Sequence, residues 1–259
     1  MCLLVFAIDC HPKYQLILAA NRDEFYERQT AQAHWWNESP RIFSGRDVLR
    51  GGTWLGVSEA GRIAAVTNFR QGYRVNSEAR SRGLLVTDFL RRSDAPLHYF
   101  EEVKREALHY DGFNLIAGDA QGFFCFSNRG DGVTKITAGV HALSNHLLDT
   151  PWPKLIRSRQ AFAAAVDRND SELINQLFAV LADRSQAEDH ELPDTGISKE
   201  WEKQLSSTFI ALDNYGTRSS TVVLIGHDDT VIFEERNFDR AGNAENVVRQ
   251  QFKLLRPNA

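Results

Sequence analysis

Length, composition and charge exclude several classes of protein before any motif is considered. The chain has 259 residues, 42% hydrophobic and 25% charged, so it can bury the core of one large domain. The formal net charge of −4 gives no basic footprint for nucleic acid. No apolar run approaches the roughly 18 residues that a membrane helix needs, and the first residues lack the basic region of a secretory signal.

The cysteine content points to a reducing compartment. The three cysteines are Cys2, Cys10 and Cys125, an odd and small number for a chain of this size. This usage argues against a disulfide framework. We therefore expect a soluble, cytoplasmic protein without integral membrane association.

Two apolar runs near the start predict a buried antiparallel hairpin. Residues 2–8 and 14–20 are short and rich in strand-forming side chains, and the turn-like segment 9–13 separates them. The second run is predicted to end at the polar segment 21–24. A strand pair in this position can return the polar segment to Cys2, provided that the register allows it.

The rest of the chain alternates between strands and pairs of helices. A loop is predicted from the end of the hairpin to about residue 50. The strands predicted after it are 51–57, 62–68, 113–117, 123–127, a pair within 133–144, 207–212, 219–225 and 230–233, and the helices are 82–92, 96–109 and others within 152–205. Recurring hairpins favour antiparallel pairing, and paired helices favour outer layers. The expected architecture is a single α+β domain over 1–259, a four-layer αββα sandwich of two mainly antiparallel sheets.

Cys2 is the first candidate for chemistry. Removal of Met1 would leave Cys2 with both a thiol and a free α-amine. The amine has a reference pKa of about 7.7 to 8.0 and can accept a proton near neutral pH. The thiol is a strong nucleophile, so one residue can supply both nucleophile and base. The alternative is that Cys2 is a small buried hydrophobe of an apolar strand.

Polar residues at predicted strand ends are the next candidates. An arginine near the thiol would stabilise the thiolate, and a carboxylate near the α-amine would hold it in place. Asn68 and Asn145 each close a strand and can donate to an oxyanion hole, although a lone asparagine is more often a turn residue. Arg218 at the start of a later strand is either a second pocket arginine or an exposed loop charge.

Two further features carry weaker signals. The segment Gly51-Gly52-Thr53-Trp54 permits close approach of the backbone to a strand or a ligand, but it lacks the ending of a phosphate loop. The histidines are scattered without ligand spacing, so no metal site is predicted. His146, beside Asn145, is interpreted as a loop residue.

Several segments closely resemble the NRDE family, also called the transport and Golgi organisation protein 2 family. The resemblance is dense over residues 1–91 and thinner beyond, so it covers most of the chain. The segments that carry it are MCLLVFAID (1–9), LILAANRDEFYERQT (16–30), GGTWLGVSEAGRIAAVTNFR (51–70), SRGLLVTDFL (81–90), FNLIAGD (113–119), ALSNHLLDTPWPKL (142–155) and YGTRSSTVVLI (215–225).

The resemblance implies a fold and a set of site residues. The family is similar to N-terminal nucleophile hydrolases and, more distantly, to the cysteine amidohydrolases of the choloylglycine hydrolase group. Carried onto this chain, Cys2 would be the nucleophile, Asn68 and Asn145 the oxyanion donors, and Arg218 the late arginine. The substrate-binding residues expected beside them are Asn21, Glu24, Trp54, Arg70 and His146.

The chain departs from the hydrolase pattern at the polar segment. The hydrolases space an arginine and an aspartate by two residues, whereas Arg22 and Asp23 are adjacent here. A gapless alignment would place Asn21 on the arginine and Glu24 on the aspartate. Either pair can therefore face Cys2.

Two functions follow from the resemblance. The first is a cysteine amidohydrolase that cleaves a linear C–N amide through Cys2 and requires no cofactor. The second is a non-catalytic protein that binds or traffics haem or an acyl-lipid, because family members are associated with secretory organisation, lipid homeostasis and haem movement. A third hypothesis is an interaction module with a vestigial site.

Overall fold

The computed structural model describes residues 2–37, 39–72, 78–168 and 171–255. The strands are β1 (Cys2–Ile8), β2 (Tyr14–Phe25), β3 (Thr30–Trp36), β4 (Ile42–Asp47), β5 (Leu55–Ser58), β6 (Ile63–Asn68), β7 (Phe113–Asp119), β8 (Gly122–Ser127), β9 (Val133–Ile136), β10 (Gly139–Leu143), β11 (Tyr215–Gly226), β12 (Thr230–Phe238) and β13 (Ala244–Lys253). The α-helices are α1 (Arg82–Arg91), α2 (Pro96–Glu106), α3 (Pro153–Arg168), α4 (Leu173–Leu181) and α5 (Lys199–Gln204). Two 3₁₀ turns span Ala107–His109 and Asp189–Glu191.

These elements form two antiparallel sheets, each with its own helices. One sheet has six strands in the order β10-β1-β2-β11-β12-β13, and the other has seven in the order β3-β4-β5-β6-β7-β8-β9. The predicted α+β class with mainly antiparallel sheets is confirmed. The described residues divide into a first unit (2–27, 70–72, 138–168 and 171–252) and a second unit (28–37, 39–69, 78–137 and 253–255). The single-domain expectation stays a prediction.

The first unit has its core between the six-stranded sheet and helices α3 and α4. Alternate residues of β1, namely Leu3, Val5 and Ala7, pack with Phe162 of α3 and Leu177 of α4. The intervening residues of β1 are buried as well, because the sheet is covered on both faces here. The uninterrupted apolar run at the start of the chain therefore encodes a buried strand.

The second unit has an aromatic core under α1 and α2. Phe89 of α1 and Phe100 of α2 are fully buried and pack with Phe113 of β7 and Trp36 of β3. The predicted helix in 82–92 is confirmed, and its residues Leu85, Phe89 and Leu90 face this core, whereas Leu84 is exposed.

The structure corrects four of the predicted elements. The predicted loop before residue 50 contains strands β3 and β4. Polar residues interrupt the apolar pattern of both, exposed ones in β3 and the buried Ser44 and Asp47 in β4. Strand β2 continues to Phe25, because its polar residues pair with β11. Segment 207–212 is not a strand, and β13 was missed because it is almost wholly exposed at the sheet edge.

A further difference concerns the strand pair predicted within 133–144. Two strands do form there, but they belong to different sheets. Strand β9 pairs with β8, while β10 pairs with β1. This switch places the residues after β10 beside the start of the chain.

Candidate active site

The register of the first hairpin decides which polar residues accompany Cys2. In the β1–β2 pair, Cys2 lies directly opposite Arg22, and Leu3 lies opposite Asn21. Directly opposed residues of an antiparallel pair share a face, and neighbours along a strand alternate. Arg22 therefore shares the face of Cys2. Asp23, the next residue along β2, points to the other face, but its backbone N–H and its charge both act on the Cys2 thiol. Of the two pairings left open by the sequence, the described influences on Cys2 come from Arg22 and Asp23.

The Cys2 thiol lies among opposing electrostatic influences. Cys2 is a free, half-buried cysteine. Burial raises the pKa of its thiol most, and the charge of Asp23 raises it too. The guanidinium of Arg22 and a hydrogen bond from the backbone N–H of Asp23 lower it, because both favour the thiolate. The net result is a pKa of the Cys2 thiol above its ordinary value, an increase that Arg22 and the Asp23 N–H reduce.

Asp23 is fully buried and tied to strand β11. Its Oδ1 accepts a hydrogen bond from Thr217 Oγ1 at 2.8 Å, and its backbone carbonyl accepts one from the Tyr215 hydroxyl at 3.1 Å. Burial raises the pKa of the Asp23 carboxyl, while the charges of Lys154 and Arg22 lower it. The carboxylate is therefore fixed in place within reach of the charge on Cys2.

Asn21 serves the fold and not an open binding surface. It is 1% exposed. Its Nδ2 donates to the carbonyls of Leu181 at 2.8 Å and Thr208 at 2.9 Å, and its Oδ1 accepts from Ser220 Oγ at 2.6 Å. These bonds join β2 to the end of α4 and to β11. The expected role of Asn21 in substrate binding is a prediction that its described contacts do not support.

The described hydrogen bonds of Glu24 and Arg218 are made with residues at and just after the end of β2. Glu24 is half-buried, and its Oε1 accepts from the backbone N–H of Phe25. Arg218 occupies a shift in the register between β2 and β11, where a bulge can redirect a side chain. Its guanidinium donates to the carbonyls of Phe25 and Tyr26 at 3.2 and 3.1 Å. The described contacts of Arg218 bind the end of β2 and not Cys2.

A residue that follows β10, Ser144, contacts the backbone carbonyl of Cys2. Ser144 Oγ lies 2.9 Å from the carbonyl oxygen of Cys2 and 3.0 Å from Asn145 Oδ1. Asn145 is fully buried, and its carbonyl accepts a hydrogen bond from the backbone N–H of Arg70 at 2.7 Å. The structure therefore brings the predicted Asn145 next to Cys2, through a serine that sequence reasoning did not single out.

Arg70 is engaged in a buried ion pair. Its guanidinium donates to Glu202 Oε2 at 2.5 Å and lies 5.0 Å above the ring of Trp152. Glu202 Oε1 accepts from the backbone N–H of Thr195 at 3.1 Å. Burial lowers the pKa of Arg70, and Glu202 counteracts that shift. Arg70 was expected in substrate binding, but its described contacts lie within the protein.

His146 lies at the rim of the same region. It is half-buried, and its Nδ1 lies 2.9 Å from Thr150 Oγ1. Its ring is 5.5 Å from that of Trp152. Burial lowers the pKa of His146, so the imidazole is neutral at physiological pH.

Lys154 is a buried lysine that the sequence did not single out. It lies in α3 with only 3% of its surface exposed, and its Nζ donates to the carbonyl of Leu205 at 3.1 Å. Burial lowers the pKa of Lys154 to about 7, with the charges of Asp23 and Cys2 acting in the opposite direction. The one sequence signal was a lysine at a helix start between apolar residues, which is also common at surfaces.

Asn68 and Trp54 belong to the second unit. Asn68 is half-buried at the end of β6 and pairs with Phe113 of β7. The ring of Trp54 packs against Gly45, where a Cβ atom would lie 2.4 Å from it. Gly52 allows a similarly close approach of the backbone at Gly83 of α1. In the described structure the glycine segment accommodates a helix, and the proposed roles of Asn68 and Trp54 stay predictions.

Comparison with known proteins places the chain in context. Residues 1–240 match the family model described as Transport and Golgi organisation 2. The human Transport and Golgi organization protein 2 homolog is 40% identical over 257 residues, which cover 92% of this chain and 93% of that protein. Transport and Golgi organization protein 2 of Drosophila melanogaster is 27% identical over 259 residues, covering 91% of each chain. These matches confirm the family resemblance of the sequence.

Among solved structures, one similar protein is the conjugated bile acid hydrolase of Clostridium perfringens. The structure is that of a mutant with alanine in place of the cysteine at its own second position. It matches with a TM-score of 0.51 at 9% identity and covers 100% of this chain and 94% of that chain. The likeness shows a shared fold, in agreement with the predicted α+β architecture of mainly antiparallel sheets.

The described residues contain neither a membrane-spanning helix nor a cluster of metal ligands. No helix in 2–37, 39–72, 78–168 or 171–255 has the length and apolar character to cross a membrane. Within the same residues, no group of three or more His, Cys, Asp or Glu side chains is arranged to hold a metal ion. Met1, whose removal would free the amine of Cys2, lies outside the described residues.

Proposed function

This chain belongs to the Transport and Golgi organisation 2 family, and we propose that it is a cysteine amidohydrolase that cleaves a linear C–N amide bond through Cys2. The observation that carries the proposal is the register of β1 and β2, which sets Arg22 opposite Cys2 and the Asp23 N–H at the thiol. The shared fold with a hydrolase supports it, as does the cysteine substituted at the second position of that enzyme.

The reaction uses Cys2 as both nucleophile and base after removal of Met1. The α-amine takes the thiol proton, and the thiolate attacks the amide carbonyl carbon to form a C–S bond. Collapse of the tetrahedral intermediate breaks the C–N bond, and the α-ammonium proton passes to the leaving amine. Water then hydrolyses the thioester, which releases a carboxylic acid and restores the thiol.

Neighbouring residues have separate parts in this scheme. Arg22 favours the thiolate, and the buried carboxylate of Asp23 holds the α-ammonium. The Oδ1 of Asn145 faces donors on Ser144 and Arg70, so its Nδ2 is the end that donates to the oxyanion. Asn68 is the proposed second donor.

Mass spectrometry of the intact protein tests the proposal. The native protein, incubated with a panel of N-acyl amides, is expected to lack Met1 and to accumulate an acyl adduct on Cys2 during turnover. The Cys2→Ala variant should form no adduct, and the Cys10→Ala variant, which loses an exposed cysteine instead, should behave as the wild type. Retention of Met1 on the native protein, or undiminished turnover by Cys2→Ala, would contradict the proposal.

A second candidate function is the binding or trafficking of haem or an acyl-lipid. The observation that favours haem is His146, a half-buried imidazole kept neutral by burial and set beside an aromatic ring. A neutral imidazole can ligate iron. Haem titration followed by absorbance should give a saturable Soret shift in the wild type that weakens in His146→Ala and persists in His190→Ala, whose histidine is exposed. A shift that is identical in all three proteins would exclude His146 as the ligand.

A further inference from the structure

The 47–52 loop, at the end of β4 in the second unit, presents two adjacent apolar side chains to solvent. Val48 is 59% exposed and Leu49 is 72% exposed. The backbone of Leu84, which is 37% exposed, lies against Gly52 at the end of the same loop. Single exposed apolar residues are ordinary at protein surfaces, whereas neighbouring ones can mark an interaction site. None of these residues has a part in the reaction proposed for Cys2.

The backbone of the loop is bonded in a way that suits an apolar environment. The five consecutive N–H groups of residues 47–51 all donate within the protein. The acceptors are the carbonyls of Gly52 for Asp47 (2.9 Å), Gln29 for Val48 (3.2 Å) and Asp47 for Gly51 (2.8 Å), and Asp47 Oδ1 for Leu49 (3.0 Å) and Arg50 (3.1 Å). A backbone donor without a partner is costly away from water. This loop can therefore leave water without exposing an unbonded N–H group.

The same bonds fix the conformation of the loop before it meets a partner. The Asp47 carboxylate that accepts two of them is itself held by the guanidinium of Arg28, with 2.6 Å between Nη2 and Oδ2. The Nε of Arg46 donates to the carbonyl of Gly51 at 3.2 Å. A loop that is already ordered loses little conformational entropy on binding.

The charges beside the apolar pair favour an anionic surface. Arg46 precedes the pair and Arg50 follows it, and both arginines are exposed. Asp47 is the only acidic residue in the segment 45–52, and Arg28 pairs with it. Arginines near a membrane are attracted to anionic lipid headgroups. The loop thus combines an apolar tip with flanking positive charge.

The size of the patch distinguishes a lipid surface from a protein partner. A stable protein–protein interface takes about 20–30 residues from each side, whereas only three exposed apolar side chains meet here. A bilayer accepts a small apolar surface inserted about 5–10 Å into its headgroup region. We infer that the 47–52 loop docks this protein reversibly on an anionic lipid surface. Val48 and Leu49 enter the headgroup region, and Arg46 and Arg50 contact the lipid anions.

Sedimentation with lipid vesicles tests the inference. The wild type should bind phosphatidylcholine vesicles that contain about one-third phosphatidylserine more tightly than vesicles of phosphatidylcholine alone, and added salt should weaken this binding. Val48→Ser/Leu49→Ser should lower the partition coefficient at least about tenfold, because the apolar contact is lost. Arg50→Gln should lower it about fivefold on the anionic vesicles only. Absence of wild-type binding, or undiminished binding by the double serine variant, would overturn the inference.

The chain offers a matched control for the double substitution. Val247 and Leu255 are 58% and 65% exposed and lie outside the loop. Val247→Ser/Leu255→Ser makes the same two changes and should bind vesicles as the wild type does. Both double variants should keep the wild-type melting temperature, because all four residues are exposed. Equal losses of vesicle binding in the two double variants would overturn the inference.

A second copy of the chain is the alternative occupant of the patch. Analytical ultracentrifugation without lipid should give the same oligomeric state for the wild type and Val48→Ser/Leu49→Ser. A dimeric wild type that becomes monomeric in this variant would show that a second copy covers the patch, and the inference would be wrong.

A measurement of depth keeps the patch apolar. Leu49→Trp places an indole at the tip of the loop, and Leu255→Trp places one at an exposed leucine elsewhere. Both variants retain the five native tryptophans, so their background fluorescence is the same. Anionic vesicles with brominated acyl chains should quench Leu49→Trp more than Leu255→Trp. Equal quenching of the two variants would contradict insertion of the loop.

Discussion

Two buried arginines, one in each unit, show two ways in which a protein can hold a charge in its interior. Arg70 of the first unit donates directly to Glu202, and its backbone N–H is bonded to Asn145. Arg62 of the second unit has carboxylates only at 3.8 Å, on Asp119, and 3.9 Å, on Asp94. Among the described residues its guanidinium has no hydrogen-bond partner.

The surroundings of the two side chains explain the difference. The guanidinium of Arg62 lies 3.8 Å above the ring of Phe89, within the aromatic core of the second unit. Burial lowers the pKa of both arginines. Only Arg70 is compensated by close, directional bonds, and only Arg70 adjoins other buried charged groups. Arg62 is therefore interpreted as packing against the aromatic core, and Arg70 as one half of a buried ion pair beside Asn145.

The largest effect is expected when Glu202 is removed. Glu202→Ala leaves Arg70 buried without its partner, and loss of one member of a buried ion pair costs about 3–5 kcal/mol. Urea unfolding should show this decrease in the free energy of unfolding. The double variant Arg70→Met/Glu202→Leu should recover most of the loss, because no unpaired charge remains.

The matched substitution in the second unit is Asp119→Ala. Because its carboxylate is 3.8 Å from Arg62, its removal should cost less than about 1.5 kcal/mol. Glu106→Ala, which breaks an exposed pair with Arg80, should cost about 0–1 kcal/mol. Equal losses for Asp119→Ala and Glu202→Ala would remove the distinction between the two arginines.

The next effect is a dependence of stability on pH that arises in the first unit. The pKa of Lys154 is about 7 in the folded chain and about 10.4 when unfolded. Between these values the unfolded state binds more protons, so the free energy of unfolding rises with pH and is lowest below pH 7. The rise from pH 7 to 10 should be larger in the wild type than in Lys154→Met by roughly 3 kcal/mol.

The control for this profile keeps the ammonium group of Lys154 and removes another. Lys203→Met, on the surface of α5, should preserve the rise of the wild type. Chemical denaturation at closely spaced pH values gives both profiles. Parallel profiles for the wild type and Lys154→Met would show that Lys154 does not titrate in this window.

A smaller effect is expected for Asn21, the polar residue that joins β2 to its surroundings. Asn21→Ala leaves the carbonyls of Leu181 and Thr208 without their buried donor, which should cost about 2–3 kcal/mol. Ser220→Ala removes one bond to the same amide and should cost about 1 kcal/mol. The rate at which iodoacetamide alkylates Cys2 in folded Asn21→Ala should match that of the wild type. A tenfold change in the Cys2 alkylation rate would instead show that Asn21 acts on Cys2.

The sequence predicts those parts of the fold that depend on local patterns. The apolar run of β1, the helical spacing in α1 and the hairpin of β7 and β8 all appear where they were expected. Strands β3 and β13 were not predicted from the sequence. Their pairing depends on residues distant in sequence, and β13 lacks a buried face. Propensity cannot reveal partners of that kind.

The candidate site also has a part that the sequence predicts and a part that depends on tertiary structure. Cys2 and the polar segment at residues 21–24 can be found from the sequence, since a cysteine at the second position is itself a signal. Their pairing cannot, because a shift of one residue exchanges the faces of Arg22 and Asn21. Lys154 and Glu202 were missed because both are common helix residues whose burial depends on tertiary packing.

The smallest effect is expected for Arg62 itself. Arg62→Met removes a guanidinium that makes no hydrogen bond within the described residues and replaces it with an apolar chain over the ring of Phe89. Replacement of a poorly compensated buried charge by an apolar side chain is often neutral or stabilising, and methionine packs favourably on aromatic rings. The free energy of unfolding should change by less than about 1 kcal/mol. Under the same conditions, Arg70→Met should lower the free energy of unfolding by about 3 kcal/mol or more, because it removes the cation that pairs with the buried Glu202. A loss at Arg62 as large as that at Arg70 would mean that charge separations near 4 Å stabilise this interior as well as direct bonds do.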